Sequence, residues 1–314
     1  MDKSLHPNQA RGGTELMADR INTLPPELLS QFQIIHSRVR ELDPTKKRIL
    51  VLHDLPGDPE VEHLKNGGWA KFDTLVFVSH WQQHMYNAYL GVPYGTGVVM
   101  QNAITPFVHP DEAWRYWPQD DSNQDDVIRL MYFSTPHRGL ELLLPSYDKL
   151  YKRYGDKIEL NVFSSFDLYG WNVRDEPYMG LFEKLKAHPG INYSKSVSNE
   201  VIRAELDRSH ILAYPSIWQE TSCLVLIEAM CAGLTCVHSS LGALPETAMG
   251  HTYMYDYTED TVDHIERFTS TLEDAIEDVS NGITMTNERK DFLNECYSWN
   301  NRSLEWQSLL TSLL

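Results

Sequence analysis

Short apolar runs of strand length alternate along the chain with longer amphipathic stretches of helical period. This alternation predicts parallel β-sheets covered by α-helices, because a strand that is buried on both faces is apolar throughout. In the first part of the chain, we predict strands at residues 32–35, 49–52, 74–78 and 97–100. Helices are predicted there at residues 14–29 and 80–90.

A polar, acidic stretch at residues 118–126 then interrupts the pattern and predicts a domain boundary. A second alternating series follows it. Its strands are predicted at residues 128–133, 158–163, 191–194, 210–214, 235–238 and 252–255. Its helices are predicted at residues 140–154, 179–187, 199–207, 222–232, 261–279 and 287–313. The order predicts an α/β protein with two Rossmann-like domains in series, with ligands at the carboxyl ends of the strands.

Composition narrows the functional classes. A chain of 314 residues with 42% hydrophobic content can bury one large core or two ordinary ones. No run approaches the roughly 20 apolar residues that span a bilayer, and the N-terminus lacks the features of a signal peptide, so we expect a cytoplasmic protein. The net charge of −17 argues against binding nucleic acid, although peripheral membrane contact through a local patch stays open. The four cysteines form no C-x-x-C pair and are expected to be reduced.

Two carboxylates, Glu220 and Glu228, stand on either side of a predicted strand-to-helix turn. Glu228 lies within an apolar helix, and a buried carboxylate requires a partner. A helix that opens at the carboxyl end of a strand also presents free N–H groups and a positive dipole end, which suit a phosphate. The segment therefore predicts an anion site with two polar anchors for a hydroxyl-rich ligand.

Other predicted strand and helix ends also carry candidate residues. Gly12 and Gly13 open a predicted helix, as a loop that approaches a phosphate would, although a plain helix N-terminus has the same appearance. His53 follows a predicted strand at the cleft edge, where it is either a functional or a hydrogen-bonded structural histidine. Arg138 follows the first strand of the second series and suits a diphosphate, with surface pairing to Glu141 as the alternative.

Several common chemistries lack their motifs. His80 and His84 are four residues apart on a predicted helix but have no third ligand nearby, and D-x-D is absent, so no metal is expected. The chain contains neither a P-loop nor G-x-G-x-x-G after a strand, which disfavours a P-loop nucleotidase and ordinary NAD binding.

The E-x₇-E pair of Glu220 and Glu228, framed by P-S-x-x-x-E and E-A-M-x-A-G, resembles the motif of the retaining glycosyltransferases of family 4, which have the GT-B fold. Further motifs that resemble that family follow in its order: G-G-T-E at 12–15, V-S-H-W-Q at 78–82, Q-N-A-I at 101–104, R-G-L at 138–140, G-A-L-P-E at 242–246 and Y-S-W at 297–299. The resemblance extends from about residue 11 to the C-terminus. It implies domains at 1–122 (acceptor side) and 123–295 (donor side), with residues 296–314 returning to the first domain.

The resemblance also implies the roles of individual residues. Glu228 would accept hydrogen bonds from a nucleotide ribose, and Glu220 would bind the transferred sugar, with His53 across the cleft near the reacting carbon. The implied nucleotide-binding residues are Gly12, Gly13, Arg138, Val197, Thr221, Ser222, Cys223, Leu224 and Glu228. The family mechanism resembles front-face attack, in which a donor phosphate oxygen takes the acceptor proton. A nucleotide-diphosphate sugar is thus the implied substrate, with no cofactor.

The chain departs from the family pattern in three places. No strand-like run precedes the glycine loop, the G-G-T-E segment at 12–15. We therefore expect the first sheet to lack the family's usual first strand. The usual G-R pair is replaced by Y-F-S-T at 132–135, which leaves Arg138 as the clear cation. The usual E-G-F-G is E-T-S-C at 220–223.

Three functions remain open: a metal-independent retaining glycosyltransferase, a non-catalytic subunit that binds nucleotide sugars, and a GT-B epimerase of sugar nucleotides. The acceptor is expected to be a sugar, a glycan or a protein. The sequence specifies neither the donor sugar and base nor the oligomeric state.

Overall fold

The computed structural model describes residues 11–107 and 127–314, and these form two parallel β-sheets, one of four strands and one of six. The two sheets confirm the predicted pair of α/β domains in series. The predicted boundary stretch at 118–126 and residues 1–10 lie outside the described residues, so the predicted domain limits and the predicted late start of the first sheet stay predictions.

The strands of the first sheet are β1 (Phe32–His36), β2 (Lys47–Leu52), β3 (Thr74–Phe77) and β4 (Gly97–Val99). They lie side by side in chain order and all run parallel. The central strand β3 is buried along its whole length, as expected of a strand with helices on both faces.

The α-helices described in the first domain are α1 (Gly13–Ile21), α2 (Pro26–Leu29) and α3 (His80–Leu90). The single helix predicted at 14–29 is wrong, because the chain turns between α1 and α2. Pro25 and Pro26 stand at that turn, where proline has no N–H to donate and disfavours a helical conformation in the residue before it. Turns of 3-10 helix cover Pro59–Lys71, where no element was predicted.

The strands of the second sheet are β5 (Ile128–Phe133), β6 (Ile158–Phe163), β7 (Ile191–Ser194), β8 (Ile211–Tyr214), β9 (Thr235–Ser239) and β10 (Tyr253–Tyr255). All are parallel, in the spatial order β10-β9-β8-β5-β6-β7. From β5 the chain builds outward to β6 and β7, and then crosses to β8 on the other side. Every predicted strand is therefore present in the two sheets, with ends that differ by two residues at most.

The helices of the second domain and the C-terminus are α4 (Leu140–Tyr154), α5 (Met179–Ala187), α6 (Asn199–Leu206), α7 (Leu224–Ala232), α8 (Leu244–Ala248), α9 (Thr261–Ser280), α10 (Asn287–Cys296) and α11 (Trp299–Leu313). The single helix predicted at 287–313 is wrong. It divides at Ser298, whose side chain accepts a hydrogen bond from the N–H of Asn300 and so caps a new helix. The short helix α8 was not predicted.

The last helix, α11, lies against the first domain. Its Trp306 and Leu310 are buried in one cluster with Ile21 of α1 and Phe32 of β1. The described chain thus starts in the first domain and returns to it with α11. This last helix connects the two domains. No helix in residues 11–107 and 127–314 combines the length and the apolar character needed to cross a membrane.

Candidate active site

The candidate site lies where the order of the second sheet reverses. Strands β5 and β8 are neighbours, yet the chain leaves them toward opposite sides of the sheet. The two loops that follow these strands diverge and open a crevice at their carboxyl ends, which is the usual ligand position in such sheets. Arg138 stands in the loop after β5, and Glu220 stands in the loop after β8.

Arg138 and Glu220 form a buried ion pair in this crevice. Nη1 of Arg138 donates to Oε1 of Glu220 over 2.5 Å, and the hydroxyl of Tyr214 donates to the same oxygen over 2.7 Å. Glu220 is 5% exposed. Burial alone would lower the pKa of Arg138, but the Glu220 carboxylate, together with the smaller contributions of Tyr214, Tyr169 and Cys223, holds that pKa well above the ordinary value. The alternative pairing of Arg138 with Glu141 is thus wrong, since Glu220 is the partner.

Two glycines bring these loops close enough for the pair to form. Gly139 has a φ of +109°, and a Cβ there would lie 2.0 Å from the carbonyl oxygen of Pro215. Gly242 has a φ of +66°, and its Cβ would lie 2.8 Å from the backbone N and O of Glu220. Both positions therefore require glycine, for conformation and for space. The backbone of Glu220 is fixed further by the N–H of Ala243, which donates to its carbonyl over 2.8 Å.

Helix α7 begins at Leu224, two residues later than predicted, so Thr221 and Ser222 lie in the loop before it. The residue that precedes the helix, Cys223, offers no side-chain acceptor to the first-turn amides. These amides and the helix dipole therefore present positive charge to the crevice. Two contacts hold this loop against the first domain. Oγ1 of Thr221 donates to the carbonyl of His53 over 2.9 Å, and Nδ2 of Asn102 donates to the carbonyl of Ser222 over 3.0 Å.

The glycine loop of the first domain meets the start of α7. A Cβ on Gly13 would lie 3.1 Å from Cδ1 of Leu224, and one on Gly12 would lie 2.4 Å from the ring of Tyr169. Helix α1 begins at Gly13, and Gly12 provides no side-chain cap. The structure thus brings Gly12 and Gly13 together with the predicted residues of the second domain, at two facing helix starts.

His53 pairs with a second histidine that the sequence did not single out. Nε2 of His53 lies 3.3 Å from Nδ1 of His36, and the two rings stack with their planes 18° apart. Burial lowers the pKa of His53 to about 3, with a further contribution from His36, and burial lowers the pKa of His36 to about 4. Both imidazoles are therefore neutral at pH 7, with one proton between the two facing nitrogens.

Glu228 is buried on α7 and faces arginines from both domains. Oε1 of Glu228 lies 3.9 Å from Nη1 of Arg203, which stands on α6. Arg20 on α1 also interacts electrostatically with Glu228. Burial raises the pKa of Glu228, and the two guanidinium groups offset only part of that effect. The predicted need for a partner is thus met by charge, but within the described residues the carboxylate accepts no hydrogen bond.

Val197 lies in the loop between β7 and α6, half-buried against the core of the second domain. Two residues further on, the side-chain oxygen of Asn199 accepts a hydrogen bond from the N–H of Arg11 over 2.9 Å. This contact places the loop next to the glycine loop of the first domain.

Sequence reasoning missed several residues of the site, among them Tyr214, His36, Arg20 and Arg203. Tyr214 is the last residue of β8, a strand that was predicted. Because Glu220 stands in the loop after the same strand, the prediction of β8 could have indicated that the two residues are neighbours. The arginines stand on helices and gave no motif. In the described part of the chain, no group of three or more His, Cys, Asp or Glu side chains is arranged to hold a metal ion.

Glu246 joins the domains at a second point. Its two carboxylate oxygens accept the N–H groups of His80 and Trp81, each over 2.9 Å. A side chain from α8 of the second domain thus caps the N-terminus of α3 in the first domain. The sequence contained this glutamate within the G-A-L-P-E motif but gave no sign of its role.

Comparisons with known proteins show what the chain is similar to. Residues 128–278 match a family model described as Glycosyl transferases group 1. No curated protein sequence is significantly similar to this chain. Solved structures that resemble it show that the fold is GT-B.

A glycosyltransferase from Rickettsia africae ESF-5 has a TM-score of 0.66 at 14% identity, covering 96% of this chain and 80% of that one. A sucrose-phosphate synthase from Thermosynechococcus elongatus has a TM-score of 0.65 at 12% identity, covering 94% of this chain and 79% of that one. Anabaena HepE in complex with UDP has a TM-score of 0.59 at 14% identity, covering 85% of this chain and 72% of that one.

Proposed function

We propose that this protein is a glycosyltransferase that moves a sugar from a nucleotide-diphosphate sugar to a hydroxyl acceptor, with retention of configuration and without a metal. The observation that carries the proposal is the convergence of Arg138, Glu220 and the start of α7 at the point where the second sheet reverses its order. This crevice combines cationic and amide donors for a diphosphate with buried carboxylates for sugar hydroxyls. HepE, a structural neighbour, has been solved with UDP-glucose, which supports a donor of this class.

The diphosphate would be held by Arg138 together with the backbone amides of Cys223 and Leu224. A guanidinium and a helix N-terminus both stabilise the charge that develops on a leaving diphosphate. Gly12 and Gly13 would allow the backbone of the first domain to approach the same phosphates, because neither has a side chain. These groups supply the positive charge that a metal provides in other sugar transferases, which supports the proposal of a metal-independent reaction.

The nucleoside would lie between the domains. Glu228 would accept hydrogen bonds from the ribose, and the base would lie against the backbone near Val197. The loop residues Thr221 and Ser222 would form the adjoining wall, since both already contact the first domain.

The transferred sugar would be bound by Glu220. Both hydrogen bonds that this carboxylate accepts go to Oε1, so among the described residues Oε2 has no donor. A sugar hydroxyl can therefore bind Oε2 while Arg138 stays in place. His53 would face the reacting carbon as a neutral imidazole. In the front-face mechanism, the acceptor proton passes to a donor phosphate oxygen, so no protein base is required.

The proposal is tested with a panel of uridine, guanosine and adenosine diphosphate sugars. We expect slow hydrolysis of one donor to release free nucleotide, also in the presence of EDTA, and we expect Glu220→Ala to abolish it while nucleotide binding persists. Glu141→Ala, which removes an exposed carboxylate on α4, serves as the control and should retain full activity. NMR of the released or transferred sugar reports the anomeric configuration.

Other outcomes would reject the proposal in favour of the alternatives. Saturable nucleotide-sugar binding without turnover, with sugars, glycans and proteins supplied as acceptors, would indicate a non-catalytic binding subunit. Conversion of the donor to a stereoisomer would indicate an epimerase. A cytoplasmic location and the domain limits at 122 and 295 remain parts of the same proposal.

A further inference from the structure

His36 and His53 meet at the carboxyl end of the first sheet. His36 is the last residue of β1, and His53 directly follows β2, which pairs with β1 in parallel. The backbone of His53 is held from both domains. Its N–H donates to Oγ of Ser37 over 3.3 Å, and its carbonyl accepts from Oγ1 of Thr221 over 2.9 Å. His53 is therefore fixed where the two domains face each other.

The facing nitrogens of the two rings allow only two arrangements of protons. Nε2 of His53 lies 3.3 Å from Nδ1 of His36, at the long end of the range for a hydrogen bond. A neutral imidazole has one N–H and one bare nitrogen. Two facing protons or two facing lone pairs would repel, so one nitrogen donates and the other accepts. Both rings then have the same tautomer, with the proton on Nε2 in each or on Nδ1 in each.

The intrinsic chemistry of histidine favours the arrangement in which His53 donates. Free neutral histidine prefers its proton on Nε2, and this preference acts twice because the two rings change together. The outward nitrogens, Nδ1 of His53 and Nε2 of His36, make no hydrogen bond to the described residues, and neither is fully buried there. No described protein group therefore opposes the preference. The favoured state has an N–H at Nε2 of His53 and a lone pair at its Nδ1.

A bare Nδ1 gives His53 a defined chemical selectivity. It accepts a hydrogen bond from a hydroxyl group, and it repels an oxygen that carries only lone pairs and negative charge, as a phosphate oxygen does. A proton on Nδ1 would reverse this selectivity, because the ring would then donate to an anion. The tautomer thus decides whether His53 can face a hydroxyl or a phosphate of a bound ligand.

We propose that His36 is a positioning residue, which accepts the proton of Nε2 of His53 in a hydrogen bond and so fixes the tautomer that offers a lone pair to a hydroxyl of the transferred sugar. This inference rests on the proposed function for the identity of that hydroxyl, whereas the tautomer of the pair does not depend on it. His36 acts through His53 and needs no contact with the substrate. A histidine that only filled space at the end of β1 would affect stability, but it would leave the tautomer of His53 unchanged.

The tautomers are measured at pH 7 on protein labelled with ¹⁵N-histidine. Long-range ¹H–¹⁵N spectra distinguish a bare ring nitrogen from one that carries a proton, and the variants His36→Asn and His53→Asn assign the two rings. We expect an Nε2 proton and a bare Nδ1 in both rings. In His36→Leu, the nitrogens of His53 should show the averaged shifts of two exchanging tautomers. In His36→Asn, the side-chain oxygen can accept the same hydrogen bond and should preserve the wild-type pattern of His53.

Turnover of the donor provides a second readout. His36→Leu should lower kcat for donor hydrolysis about 10-fold, as for one hydrogen bond lost in the transition state. Its affinity for the free nucleoside diphosphate, which has no sugar to be transferred, should stay within a few-fold of the wild type and so show that the variant is folded. His36→Asn should restore kcat to within a few-fold of the wild type.

His84→Leu provides the control. It removes an exposed histidine of the first domain whose Nδ1 lies 2.7 Å from the hydroxyl of Tyr94, and it should change neither the spectrum of His53 nor kcat. A proton on Nδ1 of His53 in the wild-type protein would overturn the inference, as would an unchanged tautomer or an unchanged kcat in His36→Leu. Absence of donor hydrolysis by the wild-type protein would instead refute the proposed function, and the spectra would still decide the tautomer of the pair.

Discussion

Removing Arg138 alone from the Arg138–Glu220 ion pair should cost more stability than removing both partners. Arg138→Gln leaves the Glu220 carboxylate buried, with the Tyr214 hydroxyl as its remaining donor. Breaking a buried pair from one side costs about 3–5 kcal/mol, because an uncompensated charge remains. Glu220→Gln leaves the guanidinium of Arg138 instead. That side chain is 23% exposed, so water can partly hydrate it, and we expect a smaller loss of about 1–2 kcal/mol.

The double variant Arg138→Gln/Glu220→Gln removes both charges and keeps side chains of similar size. Its free energy of unfolding should fall by only about 2–3 kcal/mol, which gives a coupling energy of about 2–4 kcal/mol between the two sites. Urea denaturation monitored by fluorescence and circular dichroism measures each corner of the cycle.

The control is an ion pair with the same 2.5 Å separation on the surface. Arg153 and Glu273 are 58% and 28% exposed, and exposed pairs contribute at most about 1 kcal/mol. The cycle Arg153→Gln/Glu273→Gln should therefore give a coupling below that value. Additive losses at Arg138 and Glu220, or equal coupling in the two cycles, would show that burial does not make this pair stronger than a surface contact.

Three further predictions follow from the geometry of the site. Because the pKa values of His36 and His53 are depressed to about 4 and about 3, the native state disfavours their protonation. The unfolded chain then binds more protons below about pH 6.5, so stability should fall from pH 6.5 to pH 4, and His36→Gln/His53→Gln should flatten that decline in pH-dependent urea melts. Glu246→Gln, which weakens the cap on α3 from the second domain, should lower the unfolding free energy by about 1 kcal/mol and raise proteolytic cleavage between the domains; unchanged cleavage would contradict the interdomain role. Gly242→Ala, with a positive φ and a Cβ 2.8 Å from the Glu220 backbone, should destabilise the protein by at least about 2 kcal/mol, whereas Gly95→Ala, with open space around it, should change little in thermal melts.

The sequence predicted the sheets well because their strands are buried on both faces. A buried parallel strand is a continuous apolar run, and such runs as 49–52 and 128–133 are visible without any tertiary information. The errors fell on helices, where local chemistry interrupts a long periodic pattern. Prolines divide the predicted helix at 14–29, and the Ser298 cap divides the one at 287–313.

The pairing of site residues was beyond sequence reasoning for a different reason. Arg138 and Glu220 are separated by 82 positions, and their contact depends on β8 lying beside β5. The order of strands in a sheet is set by tertiary packing and leaves no mark in a single sequence. The same applies to Arg203 and Arg20, which approach Glu228 from two helices in two domains.

Each of the two carboxylates of the E-x₇-E pair has an arginine beside it. Glu220 is matched by Arg138 from the loop after β5, and Glu228 is matched by Arg203 from α6. In each case the anion is buried and the cation is partly buried beside it, so the chain carries a net charge of −17 while positive charge stays in the crevice for the proposed anionic donor. In each case, too, the pair keeps unused capacity: Oε2 of Glu220 and Nη1 of Arg203 have no partner among the described residues. A donor with hydroxyls and phosphates can satisfy these groups without breaking either ion pair. Binding then adds hydrogen bonds to charges whose desolvation was already completed on folding, and such preorganised charge is what stabilises a departing diphosphate.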